Sequence, residues 1–138
     1  MSASESDDEN YFAFSATLRI MGDALDFEAI EQATGLRPTH THRKGERRSA
    51  VARPYRHDAW HYAPDVDEAA PLADHIDALW AAVSGAQEFL IEMKTKATLS
   101  VFCGYRSNCD SAGFQVPPRS LEMFVALQIP FGVSVIIA

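Results

Sequence analysis

Only two cysteines occur in the 138 residues, Cys103 and Cys109, too few to build a disulfide framework. That argues against the small stapled scaffolds of secreted proteins and leads us to expect reduced thiols in a cytoplasmic setting. No apolar run approaches the ~20 residues that a membrane-spanning helix requires. The first ten residues hold Glu5, Asp7, Asp8 and Glu9 but no base, the reverse of a secretory leader. They read as an acidic, solvated tail (1–10) ahead of one domain (11–138). Basic charge is also scarce: 12 Lys and Arg against 19 Asp and Glu leave a net charge of −7. Such a balance argues against non-specific nucleic-acid binding. Phosphate-cradling glycine loops are missing, because Gly104 and Gly113 lack the required neighbours. Ser107 and Ser111 have no glycine-flanked nucleophile turn around them.

What basic charge there is lies concentrated. Seven of the twelve cations, Arg37, Arg43, Lys44, Arg47, Arg48, Arg53 and Arg56, fall within twenty residues, with Glu46 as the only carboxylate among them. Four of the five histidines, His40, His42, His57 and His61, stand in or beside the same stretch. The segment from Lys44 to Arg56 has no hydrophobic periodicity and contains Gly45 and Pro54. It reads as a loop longer than most hairpin connections, a place where function is often carried.

Around it the pattern is regular. Phe12, Phe14, Ala16, Leu18 and Ile20 alternate with Ala13, Ser15, Thr17 and Arg19, which predicts a strand with one buried face. Asp26 caps a helix with Phe27 and Ile30 inside, and Gly35 ends it. Short strands follow at Thr39–Arg43 and His57–Tyr62. A helix is predicted over Asp67–Val83, with Pro71 in its first turn, and a second over Ala86–Met93. A strand spans Thr98–Tyr105, with Leu99, Val101 and Cys103 facing inward. Pro118 opens a last helix, and Gly132–Ile137 forms a terminal strand. This order predicts an α+β fold: a ferredoxin-like βαββαβ sheet with helices on one face, extended by a C-terminal helix–strand pair.

The chain resembles the bacterial domain-of-unknown-function family numbered 4279. The resemblance lies in Phe14-Ser15-Ala16-Thr17-Leu18-Arg19-Ile20 and Gly22-Asp23-Ala24-Leu25-Asp26. It continues through Ile30, Gly35-Leu36-Arg37-Pro38-Thr39, Arg43-Lys44-Gly45-Glu46 and Trp60. A helix holding Leu72 and His75, and a helix–strand pair ending in Val133–Ile136, complete it. The resemblance implies a small α+β domain and brings no activity, cofactor or catalytic residue with it.

These residues allow three kinds of chemistry. His40 and His42 would share a strand face, and a hairpin would bring His57 or His61 beside them, a nitrogen-rich set of the kind zinc favours. The spacings match no standard zinc pattern, and the neighbouring cations repel a divalent ion. Cys103 alternates with core residues and reads as packing. No cofactor is implied. The seven cations, with Tyr55 and Trp60 as stacking surfaces, are the candidate contact surface for an anionic partner. The alternative is a solvated loop neutralised by the protein's own acids. The expected role is a non-enzymatic, accessory or immunity-like module. It would bind an acidic protein, with a homodimer available through an exposed sheet edge. The rivals are a small anionic-ligand sensor and a histidine-based, metal-dependent enzyme. Nucleic acid and membrane are not expected as partners. Trp60 and Trp80 are read most simply as core anchors, and His75 as a boundary residue.

Overall fold

The computed structural model describes residues 11–109 and 113–137; the acidic tail expected over 1–10 lies outside them. The longest strand, β1 (Phe12–Gly22), is central, and the sheet order is β2-β3-β1-β4-β5. β2 (His40–His42) and β3 (Asp58–Tyr62) form one side. β4 (Thr98–Ser107) and β5 (Val133–Ile137) form the other. β1 runs antiparallel to both β3 and β4, whereas β5 joins β4 in parallel. The α+β expectation holds, and the last strand lies at an edge. The sheet is mixed, so the ferredoxin-like description does not cover it as a whole.

Alternation along β1 sorts its side chains. Ala16, Leu18 and Ile20 are buried, in one cluster with Leu99, Val101 and Cys103 of β4 and Trp60 of β3. Helix α1 (Phe27–Thr34) adds Ile30, and α2 (Leu72–Val83) adds Leu72, Ile76, Leu79 and Val83. Helix α3 (Gln87–Met93) adds Leu90, and α4 (Glu122–Leu127) adds Met123, Phe124 and Leu127. All the helices therefore load the same side of the sheet. The alternate residues of β1, Ser15, Thr17 and Arg19, face away and are partly exposed.

Local chemistry sets the helix ends. The Asp26 carboxylate accepts the Ala29 N–H at 3.1 Å, and Gly35 takes a left-handed φ of 70°, the geometry that favours glycine. The second helix begins later than expected. Pro71 precedes it as the cap residue, because Asp67 folds its own turn by accepting the Ala69 N–H at 2.9 Å. The predicted Pro118 helix is divided into a 3₁₀ turn, Pro118–Leu121, and α4. His75 is not at the boundary but buried within α2, facing the core with its neighbour Ile76.

Candidate functional site

The segment between β2 and β3 is an ordered finger. At its base the Gly45 N–H donates to the Tyr55 carbonyl at 2.9 Å, and the Tyr55 N–H donates to the Glu46 carbonyl at 2.8 Å. Gly45 has a φ of 91°, which an L side chain would strain. The tip runs over residues 47–53, closed by the Ala52 N–H to Ser49 carbonyl bond at 3.2 Å. Val51 stands there with 95% of its surface exposed, flanked in sequence by Arg47, Arg48 and Arg53.

The seven cations divide into two kinds. Arg43 is committed to the fold: its Nη1 donates to Asp58 Oδ2 at 2.8 Å and to the Leu25 carbonyl at 2.7 Å. Its guanidinium lies 3.7 Å above the centre of the Phe27 ring. Arg43 is therefore held by the fold, although its side chain stays 47% exposed. Arg37, Lys44, Arg47, Arg48, Arg53 and Arg56 are exposed and make no ion pair with any described residue. Arg47 holds only the Ala52 carbonyl, at 3.3 Å.

The aromatic partners also divide. Trp60 is fully buried in the core, so it offers no stacking surface and leaves the candidate site. Its position on β3 alternates toward the helices, and the core-anchor reading prevails over the exposed one. Tyr55 remains at the surface, stacked on His42 with ring centres 3.5 Å apart. Trp80 is half-buried, and its indole N–H donates to Glu122 Oε2 at 3.0 Å.

Register brings three of the four histidines together. His40 pairs with His61 across β2 and β3, on the face away from the helices. His40 Nε2 and His42 Nδ1 are 2.9 Å apart, and the His40 and His61 ring centres are separated by 5.2 Å. His57 is elsewhere, with Nδ1 3.2 Å from Asp23 Oδ1. Among the described residues, no group of three or more His, Cys, Asp or Glu is arranged to hold a metal ion. Burial pushes the Cys103 thiol up to about 11, which keeps it protonated and makes it packing rather than a nucleophile.

Burial lowers His61 to about 4 from its ordinary 6.5, assisted by the positive charges of Arg19, His40 and His42. An unfolded chain therefore takes up a proton at this position before the folded protein does. Between pH 6.5 and 4 the unfolded state binds more protons, so stability falls as pH falls through that window. His42, also lowered by burial, acts in the same direction. Melting temperature should hold above pH 7 and drop toward pH 4, and the drop should flatten in His61→Phe. An identical slope in the variant would refute this assignment.

Two residues matter here that the sequence reading did not single out. Asp58, buried at the start of β3, collects Arg43, the Leu25 N–H at 3.0 Å and the Lys44 N–H at 2.8 Å. The available signal was its solitude, since it is the only carboxylate between Glu46 and Asp65. The other is Arg19, a cation on the central strand.

The family model for the domain of unknown function DUF4279 matches residues 10–137, and the chain belongs to that family. No curated protein and no solved structure matches it. No helix among the described residues is long and apolar enough to cross a membrane.

Proposed function

We propose that this protein is a non-enzymatic interaction module that grips an acidic protein partner with the finger between β2 and β3. The observation that carries the reading is the set of six exposed cations without a carboxylate partner among the described residues, three of which, Arg47, Arg48 and Arg53, flank the exposed Val51 in sequence. A base tied by backbone hydrogen bonds reduces the ordering entropy that a flexible loop would lose on binding. Exposed arginines give specificity and a fast encounter with carboxylates, and their effect weakens with salt. An accessory or immunity-like role in a bacterial cytoplasm fits these features, with the two free cysteines in keeping. We also propose that β1, α1, β2, β3, α2 and β4 form a ferredoxin-like unit. Its support is the place of β1 between antiparallel β3 and β4, with parallel β5 standing outside the unit.

A second copy would pair at β5. That strand, Val133–Ile137, has no charged residue, and it exposes Val135, Ile136 and Ile137.

The test is binding to a fluorescent glutamate-rich peptide, read by anisotropy at low salt. The wild type should bind, with affinity falling as salt rises. The triple reversal of Arg47, Arg48 and Arg53 to Glu should bring anisotropy to baseline while the melting curve stays unchanged. Unaltered binding in the triple variant would defeat the proposal. Equal binding to a single-stranded oligonucleotide would favour nucleic acid instead. Thermal shifts with phosphorylated metabolites would favour the small-anion sensor, and native mass spectrometry of the same samples reads the dimer.

A further inference from the structure

Arg19 sits near the C-terminal end of central β1, on the sheet face that the helices leave open. Its direct cross-strand neighbours are His61 on β3 and Ser100 on β4. Its guanidinium carbon lies 4.2 Å over the centre of the Phe102 ring. Burial lowers the Arg19 pKa, and no carboxylate among the described residues comes within ion-pair distance to offset that. Arg19 Nε is buried with no hydrogen-bond partner, and so is Nε2 of the opposing His61.

Buried nitrogens without partners on two cross-strand neighbours are unusual, because polar groups withdrawn from water normally find one. A partly desolvated guanidinium without a counter-charge is costlier still, and the Phe102 ring face offsets only part of that cost. Beside Arg19 runs an open groove of about 400 Å³, whose lining includes Ser100, Phe102, Pro130, Gly132 and Ser134 together with Val101, Cys103 and Val133, but not His61. That volume falls within the range of small-molecule sites, which combine apolar walls with a few polar anchors.

We propose that the open face of the sheet binds a small organic anion, with its acid group on Arg19 and its apolar part against Phe102 and the groove. The ligand class is a carboxylate or phosphate monoester attached to a ring or short aliphatic body. Arg19 supplies the paired N–H donors that such oxygens accept in bidentate fashion. The hydroxyls of Ser100 and Ser134 stand along the groove for further polar atoms. None of these residues belongs to the basic finger, so the site stands or falls independently of the partner-binding reading.

The experiment is an NMR titration of isotope-labelled full-length protein with benzoate and with phenyl phosphate; inorganic phosphate and benzyl alcohol serve as controls. Binding should move the Arg19 Nε–H signal saturably, leaving the finger arginines in place. Inorganic phosphate should act more weakly, and benzyl alcohol should not move Arg19. Arg19→Met should weaken binding at least about tenfold without lowering the melting temperature, because the lost guanidinium has no protein hydrogen bond to forfeit. No Arg19 shift with either anion up to about 10 mM would overturn the proposal, as would shifts confined to the finger. A lowered melting temperature in Arg19→Met would assign the residue a structural role and overturn it as well. So would an Arg19 signal in ligand-free protein that moves when residues 1–10 are deleted, which would make the acidic tail the occupant.

Discussion

An Asp58→Ala variant is expected to lose about 2–3 kcal/mol of stability, the cost of leaving the donors around a buried carboxylate unpaired. Against a total of about 5–15 kcal/mol for a domain, this is a large share for one side chain. Asp58 joins three parts of the chain: Leu25 before α1, Arg43 and Lys44 at the root of the finger, and β3, to which it belongs. All three of its partners are donors. The Lys44 N–H leads in holding the carboxylate below its ordinary range, with Arg43 and the Leu25 N–H adding to it against the opposing effect of burial. Asp58→Asn should therefore fail nearly as badly, since an amide nitrogen would have to face one of these donors. Urea denaturation followed by circular dichroism measures both variants. A loss below about 1 kcal/mol for either would mean that the carboxylate does not organise the finger. The same pKa depression makes Asp58 a source of stability above its ordinary pKa of 3.8, lost as pH falls below it. That loss begins where the His61 window ends.

Trp60→Ala is expected to cost about 3–5 kcal/mol, the range for deleting a large aromatic side chain from a packed core. Trp60 lies within the cluster formed by β1, β4 and the helices, fully shielded from water. Trp60→Phe should cost much less. It keeps an aromatic ring in place and removes an indole N–H that is buried without a partner. Unfolding read by circular dichroism avoids dependence on the fluorophore itself. A near-neutral alanine variant would return Trp60 to the surface and to the list of contact residues.

These expectations show how unevenly the site could be read in advance. The charge concentration between Arg37 and Arg56 was plain, because it needs only counting. That Arg43 differs from Arg47 or Arg53 was not, since its role depends on Asp58, fifteen residues away and held in place by β3. The three-histidine cluster was half legible: His40 and His42 share a face by alternation. Choosing His61 over His57 needed the β2–β3 register, which pairs His40 with His61. Arg19 read as an ordinary outward-facing strand residue. Its missing counter-charge becomes visible only when the neighbours on β3 and β4 are known.

Local order was determined by the residues themselves. Alternation made β1, the Asp26 cap and Gly35 bounded α1, and the absence of periodicity marked the finger, because each depends on contacts a few residues apart. The tertiary structure alone decided which charges are neutralised, which aromatic is hidden, and where the last strand joins the sheet. Those outcomes depend on side chains brought together from distant segments, and burial and electrostatics act on that proximity, whatever the separation along the chain.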